Sequence, residues 1–255
     1  MNQCLSILFA VFLTLSLASC HTVKVLELPE SEGFSYISKK YKNDDFTDVI
    51  EYVDDFKIRY PHSKYLSQLE FMQADSYFLS GSYQEAIDVY SDFLKRYPSS
   101  SHIPFSYYRI ARSFDLQNPD RYEREQENGI KAIEKYSYYI KSFPDSQWVD
   151  KAKKRLDILS RNLAQHNMHI ANFYWSRENY DAALLRYINV VEKFPQEKDI
   201  LKQAIARQAK CYIKLAEQLE KNPKSDASVF FINNTPKELK EKALEAKKKL
   251  SYLNS

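Results

Sequence analysis

The chain has 255 residues, 37 basic against 34 acidic for a net charge of +3, with 20 tyrosines, 15 phenylalanines and only three glycines. The near balance of charge leaves no electrostatic footprint for nucleic acid, and three glycines leave no room for a glycine-rich phosphate loop or a run of tight hairpins. Long helices packed through aromatic side chains are therefore the expectation, with no cofactor and no phosphate-binding fingerprint.

Taken in chain order, the first element is a run from Leu5 to Ala18 that is apolar except for Ser6, Thr14 and Ser16. A membrane-spanning helix needs about 20 apolar residues, and this run stops short of that length. It ends in Leu17-Ala18-Ser19-Cys20, which matches the bacterial lipobox. Residues 1–19 then read as a lipoprotein signal peptide, and Cys20 as the new N-terminus carrying a thioether-linked diacylglycerol and an acylated amine, followed by a lipidated linker over 20–29. At about 0.8 kcal/mol per buried CH₂, three acyl chains anchor far more firmly than one. Cleavage elsewhere, or a retained anchor, is the alternative, because Met1-Asn2-Gln3-Cys4 lacks the usual leading Lys or Arg. The residue after the cysteine is His21; similarity to bacterial lipoproteins that are retained through an Asp there implies sorting to the outer membrane. Cys211 would be left without a disulfide partner, and reads as a small apolar residue buried on a helix.

The rest of the chain repeats. RYPHSKY (59–65), RYPSSSH (96–102), SFPDSQW (142–148) and KFPQEKD (193–199) each place an aromatic residue and a proline at the close of a helical stretch. Pro61, Pro98, Pro144 and Pro195 are spaced by 37, 46 and 51 residues, a period that signals stacked helix pairs. A second motif, alanine followed three residues on by an aromatic, recurs as Ala74/Tyr77, Ala111/Phe114, Ala171/Tyr174 and Ala209/Tyr212. Small residues let helices approach, and the aromatic fills the same face. In GSYQEAIDVYSDFLKRYP (81–98), Gly81 makes the turn and Tyr83, Ala86, Tyr90 and Phe93 form an inward stripe; NYDAALLRYINVVEKFP repeats it with Tyr180, Ala183 and Tyr187. These are tetratricopeptide residues at tetratricopeptide spacing, so the fold class is all-α, a tetratricopeptide-repeat solenoid of about five helix pairs.

Unit one covers about 30–62, its second helix starting at Phe46, with Ile37 and Lys40 in the Ala and Tyr positions. Unit two covers about 66–99. Unit three, about 103–145, carries an insertion, QNPDRYEREQEN, because Ala111 and Ala132 are 21 residues apart where Ala74 and Ala86 are 12 apart. Unit four opens with a long helix from near Trp148, since no Gly or Pro interrupts the chain until the next repeat. Unit five pairs a helix over 199–221 with a last helix opened by Thr235-Pro236-Lys237-Glu238, a capping box. Between them NPKSDASVFFINN reads as a loop whose Val229 to Ile232 dock on the fold. The domain division expected is 30–145 for units one to three and 146–255 for units four and five.

Nothing in this pattern assembles catalytic groups. His166 and His169 are three apart on one helix face and could hold a metal only with a further ligand from elsewhere, so no catalytic residue and no metal site is assigned. Binding is what helix pairs offer, because stacked first helices line a groove. Counting back from the prolines puts Phe34 and Tyr41, Phe71 and Phe78, and Phe105 and Tyr108 on groove-facing positions, with Arg112 one turn beyond Tyr108. Either several of these pack between helices, or they form an aromatic groove suited to an extended peptide with apolar side chains and a free carboxylate.

The stretches SYQEAIDVYSDFLKRYPSSSHIPFSYYRIARSF, Asp120-Arg121 and SFPDSQWVDKAKKRLDILSRNLAQHNMHIANFYWSRENYDAALLRYINVVEKFP make the chain resemble the BamD family of outer-membrane β-barrel assembly lipoproteins over nearly its whole mature length. The resemblance implies a non-enzymatic scaffold facing the periplasm, lipid-anchored in the outer membrane by Cys20. It implies two partners, the periplasmic domain of BamA at the C-terminal units and unfolded outer-membrane protein precursors at the N-terminal units. Arg186, in ALLRY, matches a family arginine on the BamA-facing side; its alternative is an exposed helix charge. The competing function is a tetratricopeptide lipoprotein that brings peptidoglycan enzymes or proteases to their substrates, and only the Pro-Phe-x-Tyr-Tyr stretch and the Ala-Gln-His to Ala-Ala-Leu-Leu-Arg stretch separate the two. A metal enzyme built on His166 and His169 is a third reading.

Overall fold

Each helix that ends on an aromatic-proline pair ends in the same way. A proline disfavours helical backbone in the residue before it, and Tyr60, Tyr97, Phe143 and Phe194 all leave the helix with φ between −133° and −125° and ψ between 49° and 63°. Each still donates its backbone N–H to the carbonyl four residues back, and each accepts from the residue three further on at 3.0–3.2 Å. That is a turn with proline at its second position. The exiting ring also packs on the helix it leaves, as in Phe56 with Tyr60 at 5.1 Å and Phe93 with Tyr97 at 5.3 Å.

The computed structural model describes residues 25–222 and 234–253. The signal segment, Cys20 and the docking of Val229 to Ile232 lie outside the described residues. Among them are ten α-helices and no strand: α1 Glu30–Lys42, α2 Phe46–Arg59, α3 Leu66–Leu79, α4 Tyr83–Arg96, α5 Ile103–Gln117, α6 Glu127–Ser142, α7 Val149–Ser176, α8 Tyr180–Lys193, α9 Lys198–Lys221 and α10 Pro236–Tyr252. The all-α tetratricopeptide-like architecture expected from the repeats is present helix for helix, including the start of α2 at Phe46 and the long α7. None of these helices is long and apolar enough to cross a membrane.

The chain divides into two compact units at Ser80. In the first, α1, α2 and α3 pack on one another around Ile37, Val49, Val53, Phe56 and Leu69, all fully buried, and the short 3-10 turn Val25–Glu27 closes the end of this core with Val25. In the second, every helix from α4 to α10 packs on its neighbour in sequence. The second helices of the pairs share one buried triplet at i, i+4 and i+7: Val49/Val53/Phe56, Ala86/Tyr90/Phe93, Ala132/Tyr136/Tyr139 and Ala183/Tyr187/Val190, every member with no exposed surface. That spacing places all three on one face. Helix α7, 28 residues long, gives Val149, Ala152 and Leu159 to the core of α5 and α6, and Ala164, Met168 and Ala171 to the core of α8, α9 and α10. One helix thus belongs to two cores, which is why it has no interior break.

Turns between the helices of a pair need a left-handed residue. Gly81 takes φ +85°, and Asp44 and Glu178 take φ 61° and 57° at the corresponding place, two residues before α2 and α8. Unit three solves the same problem with its insertion. Asn118 accepts the Gly129 N–H at 2.8 Å and donates to Gln126 Oε1 at 3.0 Å, while Gln126 donates to the Arg121 and Arg124 carbonyls at 3.1 Å. A side chain on Gly129 would put its Cβ 2.8 Å from Asn118 Oδ1, so glycine is required for the loop to close on itself.

Candidate functional site

In the first unit, Phe34 and Tyr41 lie seven residues apart on α1, and Phe71 and Phe78 seven apart on α3, so each pair shares a face. Phe34 stacks on Tyr65 with ring centroids 4.3 Å apart, and the Lys64 ammonium stands 5.1 Å from the Tyr65 ring. Tyr41 donates its hydroxyl to Asp75 Oδ2 at 2.6 Å, which satisfies an otherwise buried carboxylate. Phe71 is half-buried. Phe78 is only 8 % exposed and belongs to the interior. Phe34, Tyr41 and Phe71 are the three that keep accessible aromatic surface.

In the second unit, α5 presents Phe105, Tyr108 and Arg112. Tyr108 is 8 % exposed: it stacks on Trp148 at 5.4 Å and 20°, with Tyr136 and Tyr139 behind it. Burial raises its phenol above the usual range. Phe105 is half-buried, 5.4 Å from Trp148, with the Arg109 guanidinium 4.7 Å above its ring.

Arg112 leads to a group that sequence reasoning missed. Its Nη1 donates to Asp115 Oδ2 at 2.5 Å, and Arg155 of α7 binds the same carboxylate in bidentate fashion, Nε at 2.8 Å and Nη2 at 2.7 Å. Tyr136 adds its hydroxyl at 3.0 Å. The Asp115 side chain has no exposed surface, while those of Arg112 and Arg155 keep 28 % and 35 % of theirs. Burial works to raise the Asp115 pKa, but the hydrogen bonds from Arg155 and Arg112 outweigh it and hold the carboxyl below the usual range. Two guanidiniums against one carboxylate leave one positive charge over, at the edge that water reaches. Such an arrangement can accept a second carboxylate. The Arg112/Asp115 spacing of three residues was legible on the helix; Arg155, 40 residues from Asp115, carried no local signal.

Arg186 projects from α8 beside Leu185, both exposed, and makes no ion pair among the described residues. The two histidines do not converge on a metal site. His166 donates Nδ1–H to the Tyr122 carbonyl at 2.6 Å, and His169 meets the Tyr122 ring edge-on at 6.2 Å. Among the described residues no group of three or more His, Cys, Asp or Glu side chains is placed to hold a metal. Cys211 is buried on α9, as its position on the inward face implied, and burial pushes its thiol up to about 12.

Residues 27–227 match the sequence profile of the family described as "YfiO: Outer membrane lipoprotein". Among curated proteins, the chain is 23 % identical over 224 residues to the outer membrane protein assembly factor BamD of Vibrio cholerae, covering 84 % of this chain and 91 % of that one. It is 23 % identical over 205 residues to the protein of the same name from Pasteurella multocida, covering 76 % and 79 %. Identity to the Rickettsia prowazekii protein of that name is 26 % over 136 residues, about half the length of each, 53 % and 54 %.

Proposed function

Because the chain belongs to the YfiO family of outer membrane lipoproteins, we propose that it is a non-enzymatic scaffold of outer-membrane protein assembly, anchored through lipidated Cys20 and facing the periplasm. The observation that carries the reading is the family match over residues 27–227, which takes in nine of the ten helices described above. Relatives that bear the name of outer membrane protein assembly factor point the same way.

In this reading the two ends of the chain have different work. Units one to three, 30–145, receive unfolded outer-membrane protein precursors, the first compact unit through the accessible aromatic surface of Phe34, Tyr41 and Phe71, and the second, separately, through Phe105 and through Arg112, whose charge is reinforced by Arg155 of α7. Phe78 in the first unit and Tyr108 in the second are interior residues, each 8 % exposed, and contribute packing within their own unit. Units four and five, 146–255, dock the periplasmic domain of BamA, with Arg186 as the exposed cation beside an exposed apolar residue, the pairing that makes an interface anchor. Neither role calls for a cofactor or a metal.

The test is affinity purification of the tagged, full-length lipoprotein from detergent-solubilised envelope. A barrel protein carrying periplasmic transport-associated domains should copurify, and Arg186→Glu should reduce its recovery about tenfold or more, as expected for reversing the charge of an interface arginine. Recovery of peptidoglycan hydrolases or proteases in its place would keep the scaffold and replace the machine.

A further inference from the structure

The second unit holds a cleft that neither the aromatic surface nor the Arg186 face accounts for. It has a volume of about 210 Å³ and lies between the insertion of unit three, the C-terminal half of α7 and the first turns of α9. Gln165 and Asn172 line it from α7, seven residues apart and so on one face, and Gln203 lines it from α9. The lining is mainly polar, with Met168 and Ile200, both largely buried, giving it a small apolar patch.

Two features mark it as built. Its outer wall, Tyr122, sits in a loop locked from both sides: the Asn118 and Gln126 side chains tie the loop to itself, and His166 takes the Tyr122 carbonyl. The carboxamides, in contrast, are open to a ligand, Asn172 and Gln203 being exposed and Gln165 half-buried. Gln165 and Gln203 make no hydrogen bond among the described residues, and Asn172 uses only its oxygen, accepting from the Tyr187 hydroxyl at 2.7 Å, which orients its NH₂ group. A carboxamide offers a donor and an acceptor together, the same complement that an extended backbone presents at every residue. Charged groups could not serve both partners of a peptide unit. The one carboxylate at the rim, Asp199, is occupied by Arg161 through both oxygens, at 3.0 Å and 2.6 Å.

We infer that this cleft binds the main chain of an extended polypeptide segment, with Gln165, Asn172 and Gln203 reading peptide N–H and C=O groups and the apolar patch taking one small aliphatic side chain. A site that reads backbone is indifferent to sequence, which suits a client that is unfolded; in this respect the inference rests on the scaffold reading, and it adds a contact for the client in the C-terminal half.

The test uses the full-length lipoprotein in detergent and a fluorescently labelled ten-residue peptide of alternating Thr and Val, read by anisotropy. A second peptide of the same sequence carries methyl groups on alternate backbone nitrogens, which removes their donors. The double variant Gln165→Ala with Gln203→Ala should weaken binding of the first peptide about tenfold, the expected effect of two or three neutral hydrogen bonds. The parent should bind the methylated peptide as weakly, and in the double variant methylation should cost nothing more, since both changes remove the same contacts. Unchanged helicity by circular dichroism would exclude misfolding. Equal binding by parent and variant, or losses that simply add, would overturn the inference alone. A parent chain that binds neither this peptide nor an unfolded barrel precursor would overturn the inference and the client-binding half of the proposed function together.

Discussion

Glu178 holds a left-handed backbone, φ 57°, at the turn into α8, where Gly81 does the same work before α4. For an L-residue with a Cβ that conformation costs about 1–2 kcal/mol, and glycine recovers part of it after its own greater loss of chain entropy. Glu178→Gly should therefore stabilise the protein by about 0.5–1 kcal/mol, seen as a thermal midpoint higher by about 2 °C. Asp44→Gly, at the same place before α2, should do less, because Asp tolerates the left-handed region better than Glu. This position was half legible: Gly81 announces a turn, and Asn179, which caps α8 by accepting the Ala182 N–H, announces a helix start, whereas Glu178 itself gives no sign of a left-handed backbone. Tyr108 teaches the opposite lesson. Its place on α5 was right, but the ring that covers it, Trp148, is 40 residues away and arrives only when α7 packs.

At the scale of the element, the joint between α5, α6 and α7 is a single carboxylate. Removing Asp115 leaves two guanidiniums facing each other; a broken buried pair costs about 3–5 kcal/mol, reduced here because water reaches both arginines. Asp115→Ala should thus lower unfolding free energy by about 2–3 kcal/mol in a denaturant titration at pH 7. The sign of the pH dependence follows from the lowered pKa. The folded form binds its proton less readily than the unfolded chain, so the contribution is complete above the unfolded value, about 3.9, and is lost as the pH falls through the folded one. The gap between parent and variant should close as titrations are repeated from pH 5 downward. A gap that widened on acidification would mean that Asp115 is not the group being held ionised.

For the molecule as a whole, the terminal helix matters more than its composition suggests. Lys-rich α10 reads as a solvated face, and much of it is exposed, but Leu239 and Ala243 cover Leu215 and Leu219, and Ala246 and Leu250 cover Leu201, Ile205 and Ala209. In a stack of helices where each packs on its neighbour, the last described helix covers the apolar face that α9 would otherwise leave open. A chain ended at Asn222 should lose thermal stability in circular dichroism and scatter light on heating, because the apolar face of α9 is then open to water. Retention of the full midpoint would show that α10 is an appendage.

The sequence by itself determined the helices, their ends and the face each buries. These depend on residues within about a dozen positions of one another: the aromatic-proline stop, the left-handed turn at Gly81, the capping box at Thr235, the i, i+4, i+7 triplets. Only the tertiary structure decided which of the aromatic residues expected to face a groove remain accessible, that Arg112 shares its carboxylate with Arg155, and that an insertion, the C-terminal half of α7 and the start of α9 line a cleft with carboxamides. The reason is physical. Local conformation is set by backbone sterics and nearest-neighbour hydrogen bonds, which the order of residues spells out, whereas exposure, ion pairing and cavities are properties of what a distant helix places on top.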